Sequence, residues 1–342
     1  MRENVKNVAG CFVVVFLIVF VGLWLTFGGN KETQKVELTP PQVHVAPIVE
    51  LPKTYEIAHQ APEKYLSYDE VKNCVKDWNK TCPEITEYGV YGHNRKDDEL
   101  FYLRVGTPGC KKVLIHACLH GDERLGSCAL LGIMGRMLHD YGRDEDVTWL
   151  IKNREIYFVP VFSPESYLKS RHIEQGDPNR GWAYPGSKSD NTSSPIEAMK
   201  KFVLEKKFDA LVDCHTFGEI VYFPSILSNE DKDAMKNLTS KMGELSGYNN
   251  GPIGRTAGYA IDWYYWKTNS PAVLIEFADG PTHNMPIQKV APEVEKTYKM
   301  LLYFIREAPE IKLKGVVANN NTPENKPQLQ PLPNRRIFRI FR

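Results

Sequence analysis

The sequence has no excess of charge of either sign. Its 342 residues include 43 lysines and arginines and 42 aspartates and glutamates, which leaves a formal net charge of +1. Proteins that bind nucleic acid usually carry a clustered basic excess, so this balance predicts no nucleic-acid partner. We therefore expect a small molecule or a peptide as the substrate. A chain of this length can form one large domain with extensions.

No pair of cysteines has the CxxC spacing, although the chain contains seven cysteines. This absence argues against a zinc site built from thiolates. Cys74 and Cys82 are close enough in sequence to form a disulfide if the compartment is oxidising. Cys118 and Cys214 lie on apolar runs typical of strands, where we expect them to be small buried side chains.

Charged residues are missing from residues 8–27, an apolar run near the N-terminus. A helix of twenty residues spans about 30 Å, which matches the hydrocarbon core of a bilayer. A cleaved signal peptide usually has a shorter apolar stretch and a small-residue cleavage site. We therefore predict an uncleaved transmembrane anchor over residues 1–28. The chain would cross the membrane once, with its folded part outside the cytoplasm.

Three further regions follow the predicted anchor. Prolines punctuate residues 29–63, which we interpret as an extended stalk. Residues 64–312 have the pattern of a globular domain, in which short apolar runs alternate with helical periodicity. That alternation predicts an α/β fold with a largely parallel or mixed sheet. Residues 313–342 are rich in Asn, Pro and Gln and end in a basic, hydrophobic segment, which predicts a disordered tail.

The periodicity also gives approximate positions for the elements of the globular region. Apolar residues at helical spacing predict helices over 68–78, 125–138, 146–151, 194–205, 230–245 and 288–305. Short apolar runs predict buried strands over 99–105, 112–118, 155–161, 210–214 and 272–277.

Two of these predicted strands end in side chains that could bind a metal ion. The strand 112–118 runs into Leu-His-Gly-Asp-Glu, where His120 and Glu123 are separated by two residues. His215 follows the end of the strand 210–214. Functional groups of open α/β sheets gather at strand ends, and imidazole and carboxylate both bind zinc. Three protein ligands and a water are typical of a catalytic zinc site, although each motif alone is also common in structural loops.

Ionisable residues also occur inside two apolar strands. His116 forms an HxxxH pair with His120, but that spacing brings two ligands together only on a helix. We therefore interpret His116 as a core residue or as a residue behind the ligands. Glu276 lies in an apolar strand, and a buried acid is costly unless it is paired or used. Because burial raises the pKa of a carboxyl towards neutrality, Glu276 is a candidate general base.

A polar loop between the two metal-binding motifs contains further candidates. Arg171 and Arg180 could together bind a carboxylate, or Arg171 could polarise a scissile carbonyl. Asp177 could accept the second ring N–H of a metal-bound histidine. A solvated connection without function explains the same residues, so the loop alone does not decide between these interpretations.

Taken in order, these motifs give the chain a resemblance to the zinc carboxypeptidases of the carboxypeptidase A type. The resemblance covers about residues 65–307 and includes the HGDE motif, the segments 141–161 and 178–182, and Asp262-Trp263 with the strand of Glu276. It implies a twisted mixed sheet of eight strands with helices on both faces, here preceded by one transmembrane helix. It also implies one Zn²⁺ per chain, bound by His120, Glu123 and His215.

The resemblance further implies a role for each remaining candidate. Arg171 would hold the carbonyl oxygen, and Asp177 would orient His120. Asn179 and Arg180 would bind the substrate's terminal carboxylate, and Ile261 would lie at the floor of the side-chain pocket. The general base, and then the acid that protonates the leaving amine, would be Glu276.

Two departures from the family leave the substrate open. Gly121-Asp122 replaces the Ala/Ser-Arg of the digestive members, and HGDE is more similar to the branch that cleaves γ-D-glutamyl bonds in bacterial cell-wall peptides. The expected place of the substrate-capping tyrosine falls near Ile253-Gly254, so Tyr248, Tyr259 and Tyr265 are only candidates.

We expect a carboxypeptidase that acts on a peptide with a free C-terminal carboxylate. The alternatives are a peptidase of peptidoglycan stem peptides, an N-acyl amino acid amidohydrolase and an inert, zinc-binding peptide-recognition module.

Overall fold

The computed structural model describes residues 53–57, 61–174, 176–187, 189, 192–254 and 258–315. Strands and helices alternate along this part of the chain. The strands are β1 (Thr86–His93), β2 (Glu99–Gly106), β3 (Lys111–Ala117), β4 (Arg154–Val159), β5 (Ala210–Thr216), β6 (Ile220–Phe223), β7 (Asn249–Pro252) and β8 (Ala272–Phe277). The α-helices are α1 (Tyr68–Thr81), α2 (Arg124–Asp140), α3 (Glu145–Asn153), α4 (Ser194–Lys206), α5 (Asn229–Ser246), α6 (Ala260–Thr268) and α7 (Val290–Glu307).

All eight described strands form one mixed sheet in the order β1-β2-β4-β3-β5-β8-β6-β7. The four central strands, β4, β3, β5 and β8, run parallel. β2 joins β4, and β6 joins β8, in antiparallel pairs. The predicted mixed eight-stranded α/β sheet is therefore confirmed. Because the central strands are parallel, their carboxyl ends meet at one edge of the sheet.

Helices cover both faces of the sheet, as the resemblance implies. One hydrophobic cluster packs α1, α2, α3, α5 and α7 against the sheet, and a second contains the apolar residues of α4 and α6. Alternate residues of a central strand reach opposite clusters: Val113 and Ile115 pack in the first and Leu114 in the second. This alternation matters for the site, since it decides which side chains of β5 and β8 share a face.

Local sequence explains where several helices begin and end. Ser67 precedes α1 and forms a capping box with Glu70, in which each residue bonds the other's backbone N–H. Ser228 caps α5 by accepting from the Asp231 N–H, and Gly247 ends that helix in the left-handed conformation that glycine favours. α2 is instead buried on almost every side, which fits a helix lying between α7 and the sheet.

The structure extends the packed domain beyond the predicted limits. Tyr55 and Ile57 belong to the predicted stalk, yet both are buried in the first hydrophobic cluster. The domain therefore begins no later than residue 53, earlier than the predicted start at 64. At the other end, the backbone N–H groups of Lys314 and Gly315 both donate to the Asp231 carboxylate. Those two residues therefore belong to the packed domain and not to a tail.

Two predictions about the surroundings of the domain have different outcomes. Cys74 and Cys82 are free thiols, as are the other four cysteines of the described residues, so the disulfide that their spacing permits is absent. Among the helices that the structure describes, none has both the length and the apolar character needed to cross a bilayer. The predicted anchor over residues 8–27 and the tail from residue 316 onwards lie outside the described residues.

Candidate active site

The predicted metal ligands converge where β3 and β5 end side by side. β3 ends at Ala117 and α2 begins at Arg124, so His120 and Glu123 lie on the short connection between them. His215 is the second-last residue of β5, one strand along in the sheet. All three side chains are buried. The parallel pairing of β3 with β5 therefore brings together residues that are far apart in the sequence.

One carboxylate bridges the two imidazoles. Glu123 Oε1 lies 2.7 Å from His120 Nδ1, and Glu123 Oε2 lies 2.7 Å from His215 Nδ1. One ligand atom from each residue lies within 4.8 Å of the other two. Two imidazole nitrogens and a carboxylate form a donor set that zinc prefers. The predicted convergence of these three side chains is confirmed, and the residues present fit one Zn²⁺.

The other ring nitrogen of each imidazole contacts a second carboxylate. Asp177 Oδ1 lies 3.0 Å from His120 Nε2, as the resemblance implies. Asp213 Oδ1 lies 3.1 Å from His215 Nε2. Partners of this kind fix the orientation of a metal-binding histidine and increase its basicity. Asp213 was absent from the sequence predictions, although its position two residues before His215 on a strand places both side chains on one face.

These carboxylates give the site a strongly negative character. Burial raises the pKa of Glu123, but His215 and His120 lower it more, and the net pKa is well below the ordinary value. Burial lowers the pKa of His215, but Asp213 and Glu123 raise it well above its ordinary value. An environment that favours a positively charged imidazole also favours a bound cation. The electrostatics therefore agree with a metal site.

The polar loop brings Arg171 and Asp177 to the same centre. An Arg171 guanidinium nitrogen donates to Glu123 Oε1 at 2.9 Å. Asp177 Oδ1, which contacts His120, also accepts the Asn179 N–H at 2.9 Å and caps the single turn Pro178–Arg180. Asp177 thus joins a predicted zinc ligand to the turn that carries the predicted carboxylate-binding residues. Nothing in the geometry assigns the roles of these residues in binding, which stay predictions.

Arg180 lies beside one of the three candidate tyrosines. Its guanidinium carbon is 6.0 Å from the centre of the Tyr259 ring. Tyr248 and Tyr265 have structural contacts elsewhere, because the Tyr248 hydroxyl accepts the Ala278 N–H and the Tyr265 hydroxyl donates to Asp231. Ile261 is fully buried in the second hydrophobic cluster, and its predicted place at a pocket floor stays a prediction.

Glu276 lies beside the metal ligands on the neighbouring strand. It pairs with His215 in the parallel register of β5 and β8, so both side chains point to the same face. Its Oε2 atom is buried and has no hydrogen-bond partner. Burial is the main reason why the pKa of Glu276 rises to about 7. A carboxylate with this pKa next to a metal site is suited to accept a proton near neutral pH.

His283 is a further residue at the site that the sequence did not indicate. It lies on the connection after β8, and its Nδ1 is 2.6 Å from the Thr216 carbonyl oxygen and 3.3 Å from Glu123 Oε1. Its ring packs on Phe217, with the ring centres 5.1 Å apart, and its side chain is 36% exposed. A lone histidine in a polar connection has no spacing that would identify it, so only the fold reveals this contact.

Comparison with known proteins agrees with this geometry. A family model described as zinc carboxypeptidase matches residues 71–300. Mouse carboxypeptidase A4 is 23% identical over 294 residues, which cover 70% of this chain and 69% of that protein. Human carboxypeptidase B is 21% identical over 291 residues, which cover 70% of each protein.

Two solved structures share the fold of this chain. Thrombin-activatable fibrinolysis inhibitor aligns with a TM-score of 0.67 at 17% identity, over 72% of this chain and 75% of that one. Carboxypeptidase A from Helicoverpa armigera aligns with a TM-score of 0.63 at 16% identity, over 72% and 74% of the two chains. Because the family model matches more than half of the sequence and the His-Glu-His cluster fits one Zn²⁺, this chain belongs to the zinc carboxypeptidase family of peptide hydrolases.

Proposed function

We propose that this domain removes the C-terminal residue from peptides that end in a free carboxylate. The observation that carries the proposal is Glu276, a partly buried residue whose Oε2 atom is buried without a partner, and which is the register partner of His215 in the sheet. A protein that only bound peptides would not need a proton acceptor there. Family membership supports the same class of reaction.

The residues at the site would have distinct roles in the hydrolysis. Zinc bound by His120, Glu123 and His215 would act as a Lewis acid that polarises the scissile carbonyl and lowers the pKa of water. Glu276 would take the proton from the attacking water and then pass it to the departing amine, so that the carboxylate is regenerated. Burial, which raises the pKa of Glu276 above its ordinary value, favours this transfer of a proton to and from the carboxylate.

Arg171 is the candidate for stabilising the developing negative charge. Its guanidinium already lies at the centre, 2.9 Å from Glu123 Oε1, and its side chain is 34% exposed. A fixed positive charge beside the reacting carbonyl stabilises the transition state more than the ground state, because the oxygen gains charge during attack. Arg171 would therefore contribute to kcat more than to KM.

Asn179 and Arg180 are the candidates for binding the terminal carboxylate. Both lie on the turn that Asp177 caps, and Asp177 also contacts His120. A carboxylate held by this turn would place the last peptide bond at a fixed distance from the zinc site, which favours removal of one residue over internal cleavage. Arg180 would supply the charge-assisted contact, since arginine can bind a carboxylate through two nitrogens.

A pair of matched peptides tests the proposal directly. One peptide ends in a free carboxylate and the other ends in the same residue as an amide. We expect release of the C-terminal amino acid from the first peptide only, detected by mass spectrometry. The activity should disappear with a chelator and return with Zn²⁺. Equal cleavage of the amide, or cleavage inside the peptide, would contradict the assignment of Asn179 and Arg180.

The same assay separates the alternative substrates. Peptidoglycan stem peptides with γ-D-glutamyl bonds and N-acyl amino acids are offered beside ordinary peptides at equal concentration. Preference for the stem peptides would assign the cell-wall-peptide branch, which the HGDE motif suggests. Preference for the N-acyl amino acids would assign an amidohydrolase. Zinc binding without turnover of any substrate in the panel would identify an inert recognition module and overturn the proposal.

We also propose that residues 8–27 hold the domain at a membrane, outside the cytoplasm. The support is the length of this run and its lack of charge. In the expressing cell, the full chain should stay in the membrane fraction after a high-salt wash, while a chain without residues 1–28 should be released. Protease added to intact cells or spheroplasts should digest the domain only if it lies outside the cytoplasm.

A further inference from the structure

Two buried residues behind the zinc site have no part in the proposed hydrolysis. His116 and Asp213 are both 0% exposed. Asp213 Oδ1 lies 3.1 Å from His215 Nε2 on one side and 3.3 Å from His116 Nδ1 on the other. The three side chains therefore form a row that leads from a metal ligand into the interior of the protein.

Strand geometry places all three side chains on the same face of the sheet. Asp213 and His215 are two residues apart on β5, and side chains on a strand alternate between faces. His116 on β3 is the direct register partner of Asp213. The row is thus fixed by the backbone of two central strands and does not depend on a loop. Both distances lie within hydrogen-bonding range, but neither contact is well aligned, so each is a close contact between a carboxylate oxygen and an imidazole nitrogen.

General energetics do not predict that these two residues stabilise the fold. Asp213 Oδ2 and His116 Nε2 are buried and have no hydrogen-bond partner, and the His116 ring packs against Phe162. Burial of a polar group without a partner is unfavourable, and apolar residues of similar volume often serve stability equally well or better. Among the residues that the structure describes, Asp213 contacts the zinc ligand His215 on one side and His116 on the other.

We propose that Asp213, backed by His116, is a positioning unit that holds His215 with Nδ1 towards the metal and thereby sets zinc affinity. A carboxylate facing Nε2 keeps the ring hydrogen on that nitrogen and leaves the Nδ1 lone pair for the ion. His116 restrains the shared Asp213 oxygen from the opposite side. The inference rests on the zinc site and not on the substrate of the proposed peptidase.

Zinc affinity of the full-length apoprotein tests this unit without any substrate. Affinity is measured by competition between the protein and a chelator of known zinc affinity. Asp213→Asn keeps the volume and removes the charge, and we expect zinc affinity to fall about 10–100-fold. His116→Leu removes the backing contact, and its effect should be in the same direction but smaller. The absorption spectrum of bound Co²⁺ should also change in Asp213→Asn, because the donor strength of His215 changes.

Thermal unfolding of the apoprotein separates positioning from a structural role. Positioning predicts that His116→Leu lowers zinc affinity while the Tm of the apoprotein stays equal or rises. A structural role predicts that affinity and Tm fall together. Cys214→Ala is the matched control, since Cys214 is buried between Asp213 and His215 but packs in the cluster on the other face. That variant should leave zinc affinity within about twofold of the wild type, well below the loss expected from a partner of a ligand.

The outcomes distinguish this inference from the proposed function. Unchanged zinc affinity in folded Asp213→Asn and His116→Leu would overturn the positioning unit, whatever the enzyme cleaves. Should Asp213→Asn fail to fold, His116→Leu alone decides the question. Tight zinc binding by the wild type, lost in these variants but without cleavage of any peptide, would support the unit and reject only the peptidase assignment.

Discussion

Two glutamates in this protein have carboxyl pKa values raised by burial to about 7, but their surroundings differ. Burial raises the pKa of Glu276 on β8 to about 7, and burial raises the pKa of Glu293 on α7 to about 7 as well. Each carboxyl also has one buried oxygen without a hydrogen-bond partner, Oε2 in Glu276 and Oε1 in Glu293. A search for perturbed acids alone would therefore select both.

The groups that surround Glu276 and Glu293 distinguish the two glutamates. After burial, the main influences on Glu276 are His215, Glu123 and His120, the three zinc ligands. Glu293 lies in the first turn of α7, where Lys296 and the backbone of Ala278 lower its pKa. A raised carboxyl pKa therefore shows only that the group is buried. It becomes evidence of catalysis when the carboxyl also lies beside other functional groups, such as a metal-binding cluster. We expect Glu276 to serve the reaction and Glu293 to affect stability alone.

The largest expected effect is on activity. Glu276→Gln should lower kcat/KM for a peptide with a free C-terminus by about 10²–10⁴-fold, because the amide cannot accept the proton of water. Zinc content, measured by atomic absorption, should stay at one ion per chain, since Glu276 is not part of the ligand cluster. The matched variant Glu293→Gln should keep kcat/KM within about twofold, because general acid–base catalysis is lost only at the reacting group. Similar losses in both variants would remove the distinction between the two glutamates.

A smaller effect concerns the pH dependence of stability. The folded-state pKa of Glu293, about 7, lies above the ordinary value of 4.5. The folded protein therefore binds an extra proton between these values, and the contribution of Glu293 is fully present below pH 4.5 and lost as pH rises through 7. Glu293→Gln should be more stable than the wild type above pH 7 by about 1 to 3 kcal/mol.

Denaturant unfolding of the two proteins from pH 4.5 to 8 measures this difference. The gap in unfolding free energy between wild type and Glu293→Gln should widen with rising pH and level off above pH 7, because only the wild type must bury the charge. Because both proteins retain Glu276 and the zinc ligands, contributions from the site cancel in the comparison. A gap independent of pH would mean that Glu293 titrates as an ordinary exposed carboxyl.

The smallest effect comes from the lysine beside Glu293. Lys296 lowers the pKa of Glu293 and also forms an ion pair with Glu219 at 2.7 Å. Lys296→Met should move the midpoint of the stability curve to higher pH by up to about half a unit, a modest shift because its side chain is partly exposed to solvent. The pH profile of peptide cleavage should not move, and a parallel shift in both curves would indicate coupling between α7 and the site.

Some of these features could be predicted from the sequence because their chemistry is local. His120 and Glu123 lie three residues apart after an apolar strand, and His215 ends another, so strand ends and ligand types were enough to group them. The central strands were predicted for the same reason, since buried parallel strands are continuous apolar runs. Glu276 was singled out because an acid is unusual in such a run.

Three outer strands of the sheet, β1, β6 and β7, could not be predicted in this way. β1 contains Gly89 and Gly92 and is only partly buried, which weakens any apolar pattern. β6 and β7 have four residues each and depend on pairing with a neighbour. A short strand gains its hydrogen bonds from the rest of the sheet, so its own residues carry little information about it.

The contacts between distant residues were also beyond the sequence. The spacing of Asp213 and His215 on one strand was visible in the sequence, but the contact of Asp213 with His116 depends on the register of β3 and β5. His283 was not predicted because it lies in the connection after β8, far from Glu123 in the sequence. Only the folded chain brings its side chain close to Glu123.

The sequence by itself determined the class of fold, the zinc ligands and the order of the motifs, because ligand chemistry and hydrophobic periodicity are properties of short segments. Only the tertiary structure decided that Asp213 lies between His215 and His116, and that Glu276 is the register partner of His215. Register between β3, β5 and β8 controls both, and burial, which raises the pKa of both Glu276 and Glu293, exists only once the sheet and its helices are assembled.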